Sequence, residues 1–182
     1  MESKGSIRKR YLFKRKKKYF EVKSKIFNPL FELIKKKNIK KKIVSLYYPT
    51  NYELNVFKIF ENEYFKRFKP LLPIVKDKDQ MHFYEWKKKD LLSINIYGIL
   101  EPLKSKIIVP TVILVPLLAY DNQKNRLGYG KGFYDKFLKK FINKYKNILT
   151  VGIAFSFQKH QKLPINQKDV NLNYILTEKG IF

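Results

Sequence analysis

The stretch from Val112 to Tyr145 constrains the fold more than any other part of the chain. It opens on VILVPLLAY (112–120), nine residues without a charge, and passes through RLGYGKG (126–132), with glycine at 128, 130 and 132. It ends in FYDKFLKKFINKY (133–145), where Phe133, Phe137, Phe141 and Tyr145 recur every fourth residue. A short, continuous apolar run is a strand covered on both faces, because a strand with one wet face alternates. The fourfold recurrence is one stripe of a helix. Strand, tight loop and helix in that order make the unit of an α/β sheet and put the loop at a strand's carboxyl end, where such sheets bind ligands.

Further compact apolar runs supply the remaining strands: KIVSLYYP (42–49), LLPIV (71–75), MHFYEW (81–86), NILTVGIAF (147–155) and NYILT (173–177). Residues 6–20 and 24–37 predict two helices with basic outer faces, the second marked by Phe27, Leu30, Phe31 and Ile34 at i, i+3, i+4 and i+7. Leu54, Phe57, Phe60, Tyr64 and Phe68 predict another helix after the first strand. The expected fold is an α/β three-layer sandwich, with a mostly parallel central sheet and helices on both faces. At 182 residues and 45% hydrophobic content, without a repeat or a Ser/Gly linker, a single domain over residues 1–182 is expected.

The absence of cysteine excludes disulfides and thiolate zinc sites, and His82 and His160 share no metal-ligand spacing. No Ser-His or Cys-His pair suggests an enzyme nucleophile. The N-terminus is too charged for a secretory signal and no run reaches the ~18 apolar residues of a membrane span, so a soluble cytoplasmic protein without a membrane partner is expected. Forty Lys+Arg against 15 Asp+Glu give +25, which taken alone suggests a nucleic-acid partner. Only five of the 40 are arginine (Arg8, Arg10, Arg15, Arg67 and Arg126), which leaves 35 lysines. Arginine is the usual reader of phosphate and bases, and Lys, Asn, Ile, Phe and Tyr all have A/T-rich codons. A composition-driven, solvated surface therefore accounts for the charge, with a non-catalytic nucleic-acid-binding protein as the alternative and no specific nucleic acid expected.

The glycine loop fails the P-loop pattern, since its spacing differs and no Ser or Thr follows Lys131, and Phe133 stands where G-x-G-x-x-G needs its third glycine. What remains is G-x-G-x-G opening a helix, which leaves backbone N–H groups free near a positive helix end beside Arg126 and Lys131. That is a phosphate cradle in physical terms, although glycines in a tight turn also occur without a ligand.

The whole string VPLLAYDNQKNRLGYGKGFYDKFL (115–138) resembles the signature of the 5-formyltetrahydrofolate cyclo-ligase family, also called 5,10-methenyltetrahydrofolate synthetases. KGSIR (4–8), YPTNYEL (48–54), LPIVKDKDQMHFYEW (72–86), GILEP (98–102), VGIAFSFQKHQKLPINQKDV (151–170) and ILTEKGI (175–181) continue the resemblance in order. It implies a single-domain α/β enzyme that uses ATP and Mg2+ to close 5-formyltetrahydrofolate into 5,10-methenyltetrahydrofolate, releasing ADP and phosphate. The formyl oxygen, a poor leaving group, would be phosphorylated to an iminium phosphate before N10 closes the ring, chemistry run by positioning and charge.

Carried over by residue, the resemblance makes Lys4 and Arg8 ATP contacts, with Arg8 also reaching substrate. Arg126, Leu127, Gly128, Tyr129, Gly130, Lys131, Gly132, Phe133 and Tyr134 form the nucleotide loop, within which Arg126 and Lys131 act catalytically on the transferred phosphoryl group. Tyr48, Glu53 and Met81 fall in the folate pocket with Tyr129 and Phe133, and Asp135 and Asp169 are the magnesium carboxylates. The partners implied are small molecules, with a monomer favoured. A phosphate-ester or CoA enzyme on a similar sheet is a further rival, because a fold alone fixes no function. The chain departs from the family pattern at Lys124, where glycine is usual, at Lys136 for an arginine, and in the glycine-poor SINIYGILEP (93–102).

Overall fold

The structure, a computed structural model, describes residues 2–76, 80–145 and 148–182. Helix α1 (Lys4–Lys18) is followed by a 3-10 turn (Ser24–Phe27), helix α2 (Asn28–Lys36) and strand β1 (Ile43–Ser45). Two more 3-10 turns (Val56–Glu61 and Glu63–Arg67) lead to β2 (Lys69–Lys76), β3 (Gln80–Glu85), β4 (Leu92–Ile94), β5 (Leu100–Pro102) and β6 (Val112–Pro116). Then come β7 (Ala119–Tyr120), β8 (Arg126–Leu127), helix α3 (Phe133–Lys144), β9 (Leu149–Ile153), β10 (Tyr174–Thr177) and β11 (Gly180–Ile181).

Seven strands make one sheet in the order β11-β10-β9-β6-β1-β2-β3, parallel from β10 to β2 with an antiparallel strand at each edge. The chain leaves β1 on one side toward β3 and returns on the other toward β10, so the strand order reverses between β1 and β6. Alternate residues serve opposite faces, as the pleat requires. Val112, Leu114, Val151 and Ile153 pack with Leu30, Phe31 and Ile34 of α2 on one face, whereas Ile113, Val115 and Ile175 meet Phe137 and Leu138 of α3 on the other. The expected mostly parallel sheet with helices on both faces is thus present.

Three local expectations change. The predicted helix over Leu54–Phe68 is two 3-10 turns separated by Asn62, whose extended backbone breaks the run and whose side chain caps the second turn through Tyr64 N. Leu54, Phe57 and Phe60 are three apart, the repeat at which 3-10 side chains eclipse, so one apolar face survives without an α-helix. The predicted helix over 24–37 divides at Pro29, which sits in the first turn of α2. VILVPLLAY is two strands, because Pro116 has no N–H to continue the ladder. Past it the chain leaves the sheet, and β7 pairs with β8 through Ala119↔Leu127 and Tyr120↔Arg126.

Helix α1 lies against this hairpin, with Ile7 and Tyr11 packed on Leu118, Ala119, Leu127 and Leu163. Ser3 accepts from Ser6 N and fixes where the helix starts. The β4–β5 hairpin, which no apolar run in the sequence marks, turns at Asn95, whose carbonyl side chain accepts from Tyr97 N and Ile99 N.

Candidate active site

A cleft of about 780 Å³ opens beyond the carboxyl ends of β1 and β6, at the reversal in strand order, the crevice where open α/β sheets take ligands. All the predicted site residues line it: Lys4, Arg8, Tyr48, Glu53, Met81, the segment Arg126–Asp135 and Asp169. The fold therefore gathers into one crevice what the chain separates by up to 165 positions.

Helix α1 and the glycine loop meet at its floor. Arg8 Nε donates to the Gly128 carbonyl at 2.9 Å, and the guanidinium lies across Gly130, where a Cβ would come within 3.2 Å of Arg8 Cζ. Gly130 also holds φ at +100°, a left-handed value that disfavours any side chain. At Gly128 a Cβ would approach Arg126 Nη1 to 3.2 Å. Two of the three glycines thus make room for arginines, in addition to baring the backbone as their spacing suggests.

Arg126 is 9% exposed on the β7–β8 hairpin, and its Nη2 donates to Asp135 Oδ1 at 2.7 Å. Burial lowers the Arg126 pKa and the Asp135 charge pulls it back up. Its Nε is buried with no protein partner among the described residues. Asp135 stands in the first turn of α3, where the helix dipole favours a carboxylate, and its Oδ1 also accepts from Val170 N. Lys4 reaches Asp169 Oδ2 at 2.5 Å, and the same oxygen accepts from Asn166 N. Exposed Lys131 holds its ammonium 5.4 Å from the Tyr97 ring centroid, and the Tyr97 ring lies tilted against Phe133. Leu127 turns its side chain into the contact with α1, which leaves only its backbone to a ligand.

The opposite wall is more enclosed. Glu53 is buried and accepts from Thr50 N at 2.9 Å and from the Tyr129 hydroxyl at 2.8 Å. Burial raises its pKa, and the Arg15 guanidinium opposes that rise. Tyr48 stacks edge-to-face on Phe57, and Met81 is buried on β3. The Tyr134 hydroxyl is buried without a protein partner among the described residues, and burial raises its pKa.

Tyr47, Asn95, Tyr97 and Glu101 also line the cleft, and Arg15 lies behind Tyr129 and Glu53, none of them among the site residues the sequence singles out. Glu101 is buried and accepts from Val75 N and Asn95 Nδ2, which ties the β4–β5 hairpin to β2. A signal for Arg15 was present: Lys4, Arg8, Tyr11 and Arg15 share one helical stripe, and a chain this rich in lysine uses arginine only five times. Lys124 adopts φ of +61°, the left-handed turn that glycine would occupy without strain. The turn holds because buried Asp121 accepts from Gln123 N, Asn125 N and Leu163 N.

Asp135 and Asp169 suit a hard cation. One oxygen of each is taken by protein, whereas Asp135 Oδ2 and Asp169 Oδ1 receive no hydrogen bond from the described residues. Among those residues no group of three or more acidic or histidine side chains could enclose a metal. An ion here would complete its shell with phosphate oxygens and water, as magnesium characteristically does.

A family model described as the 5-formyltetrahydrofolate cyclo-ligase family matches residues 1–178. The 5-formyltetrahydrofolate cyclo-ligase of Haemophilus influenzae is 30% identical over 142 residues, which span 74% of this chain and 75% of that one. The NMR structure of the 5,10-methenyltetrahydrofolate synthetase of Aquifex aeolicus superposes with a TM-score of 0.75 at 30% identity, covering 98% of this chain and 91% of that chain. The corresponding protein of Mycoplasma pneumoniae shares the fold with a TM-score of 0.70 at 22% identity, over 97% of this chain and 99% of that chain.

Proposed function

We propose, from the premise that this chain belongs to the 5-formyltetrahydrofolate cyclo-ligase family, that residues 1–182 act as one domain that closes 5-formyltetrahydrofolate to 5,10-methenyltetrahydrofolate at the expense of ATP. The observation that carries the reading is the convergence of Lys4, Arg8, Arg126 and Lys131 with Asp135 and Asp169 around a bare loop, facing a pocket with a buried carboxylate at Glu53. Four cations and free backbone N–H groups suit a triphosphate. A buried acceptor suits the N–H edge of a pterin ring. No protein nucleophile is required.

In this reading the formyl oxygen attacks the γ-phosphorus and ADP leaves. N10 then adds to the activated formyl carbon, the C–O bond breaks toward phosphate, and N10 loses its proton. Arg126 and Lys131 neutralise charge on the transferred group, an interaction that strengthens as that charge gathers. Arg126 is well placed for this because it is desolvated and held by Asp135. Lys4 and Arg8 bind the nucleotide from α1, Arg8 also reaching substrate. The loop residues 127–134 present backbone and aromatic surface, and Tyr48, Glu53, Met81, Tyr129 and Phe133 hold the folate. Asp135 and Asp169 would hold Mg2+, which supplies charge neutralisation on the phosphates when bound. Among the described residues no helix is long and apolar enough to cross a membrane; we assign the enzyme to the cytoplasm, as a monomer, since one chain supplies every group invoked.

The test is the near-ultraviolet absorbance of methenyltetrahydrofolate when protein meets 5-formyltetrahydrofolate, ATP and magnesium. A rise that needs all three, stops on chelation and is lost in Arg126→Ala is expected. Well-folded protein giving no rise would overturn the assignment.

A further inference from the structure

One buried charge in this wall has no part in the reaction as described. Arg15 is fully buried, and an arginine is rarely so placed unless its charge is met. Its Nη2 donates to the Tyr129 hydroxyl, and its Nη1 lies 3.4 Å from the Leu117 carbonyl and 4.0 Å from Glu53 Oε1. The Tyr129 hydroxyl donates in turn to that same Glu53 oxygen. Its single proton therefore goes to Glu53 and a lone pair goes to Arg15. Although Tyr129 is 39% exposed, this inward end is desolvated and its pKa is raised, so it stays a donor. Glu53 is faced by Arg15 from α1, Tyr129 from the glycine loop, Tyr47 beyond β1 and Tyr134 from α3. Arg15 is the sole cation in that set. Arg8, seven residues earlier on the same helix, lies on the same loop at Gly128 and Gly130.

We propose that Arg15 is a positioning residue for the folate subsite: through the Tyr129 hydroxyl it ties the glycine loop to Glu53, and its charge meets the charge of that carboxylate. The proposal rests on the cyclo-ligase reading for what Glu53 binds. Two consequences follow from the geometry. Burial alone drives Glu53 toward the neutral acid, which would donate where the pterin edge needs an acceptor, and Arg15 counters that drive. The nucleotide loop and the pterin acceptor also share one hydrogen-bonded path, so fixing the loop fixes Glu53.

The first measurement needs no turnover: the titration of Glu53, followed by 13C NMR of the carboxylates and assigned with Glu53→Gln, in wild type, Arg15→Met, Arg15→Lys and Tyr129→Phe. The Glu53 midpoint is expected to rise by about one pH unit or more in Arg15→Met, by less in Tyr129→Phe, and to return most of the way in Arg15→Lys. The second is kcat/KM for the folate against pH. Its acid limb is expected to move with the NMR midpoint, KM for the folate rising at least tenfold at neutral pH while kcat falls less. If wild type has no turnover but the NMR shifts appear, the functional reading fails and the Arg15–Glu53 link stands. If activity is present and a folded Arg15 variant leaves both the midpoint and the acid limb where they were, the proposal is wrong and Arg15 is a packing residue. Should Arg15→Met not fold, Tyr129→Phe decides alone: an unmoved midpoint there sinks the proposal, and a raised one supports it.

Discussion

The sheet has a cavity of about 780 Å³ at each end, and both are basic, yet they differ in every other respect. At the amino ends of the parallel strands the walls are Lys37, Lys40, Lys41, Thr111, Ile148 and Tyr174, with all three lysines exposed and no carboxylate among the described lining residues. At the carboxyl ends Lys131 is exposed, but four further cations are partly or fully sunk and tied to neighbours: Arg126 to Asp135, Lys4 to Asp169, Arg8 to a backbone carbonyl, Arg15 to Tyr129. Volume and charge are equal currencies of neither binding nor catalysis. What separates the two ends is orientation: a desolvated, hydrogen-bonded cation keeps its position when charge develops beside it, whereas a solvated lysine reorganises with water. The net charge of +25 thus points nowhere in particular, whereas three of the five arginines, Arg8, Arg15 and Arg126, lie at the site.

The contrast can be broken by exchange of losses. Arg126→Ala should lower kcat by about 10² to 10³, while Lys40→Ala combined with Lys41→Ala should leave turnover unchanged; equal effects in the absorbance assay would erase the distinction between the two ends. Gly130→Ala comes next. A methyl at φ +100° against the Arg8 guanidinium displaces loop and arginine together, and a misplacement of this kind costs about 10² in kcat/KM.

Glu53 sharpens the comparison through stability. Its pKa is raised in the folded state, so its contribution is complete below the unfolded value of about 4.3 and fades as pH rises through the folded midpoint. Relative to Glu53→Gln, wild type should lose thermal stability as pH rises above about 4.3, as measured by melting both proteins from acid to neutral pH. A constant gap would mean that Glu53 titrates normally. The smallest effect concerns the turn before Arg126: Lys124→Gly should relieve about 1 kcal/mol of left-handed strain, raising Tm by about 2 to 4 °C without altering turnover.

The amino end has its own prediction. Lys40→Ala with Lys41→Ala should weaken binding to heparin at low salt and flatten its salt dependence, since such contacts act by counterion release. An unchanged slope would show that these lysines contribute nothing even to non-specific attraction.

Much of this was readable beforehand. The segment 126–145 shows its nature locally, because glycine spacing, adjacent cations and the helix stripe all fall within twenty residues. The main-sheet strands β1, β2, β3, β6, β9 and β10 were legible for the same reason, being short apolar runs. The 3-10 turns at 56–67 were not, since a three-residue apolar repeat satisfies both helix types and only the backbone at Asn62 chooses between them. Nor was the β4–β5 hairpin, whose three-residue strands carry exposed Ile94 and no clean alternation. Arg15 shows the deeper limit. As text it is one more cation in RKRYLFKRKKK, and its burial follows from where α1 docks, a contact made by Leu118, Leu127 and Leu163 more than 100 residues away.

By itself, then, the sequence determined the α/β class, the glycine loop at a strand end and the residue types that meet phosphate, because each is written in short-range pattern. The tertiary structure decided which cations lose their water, which carboxylates answer them, and that Arg8 and Arg15 from the first helix lie on a loop more than a hundred residues later. Those outcomes depend on desolvation and on distances across the fold, and neither quantity exists until the chain has packed.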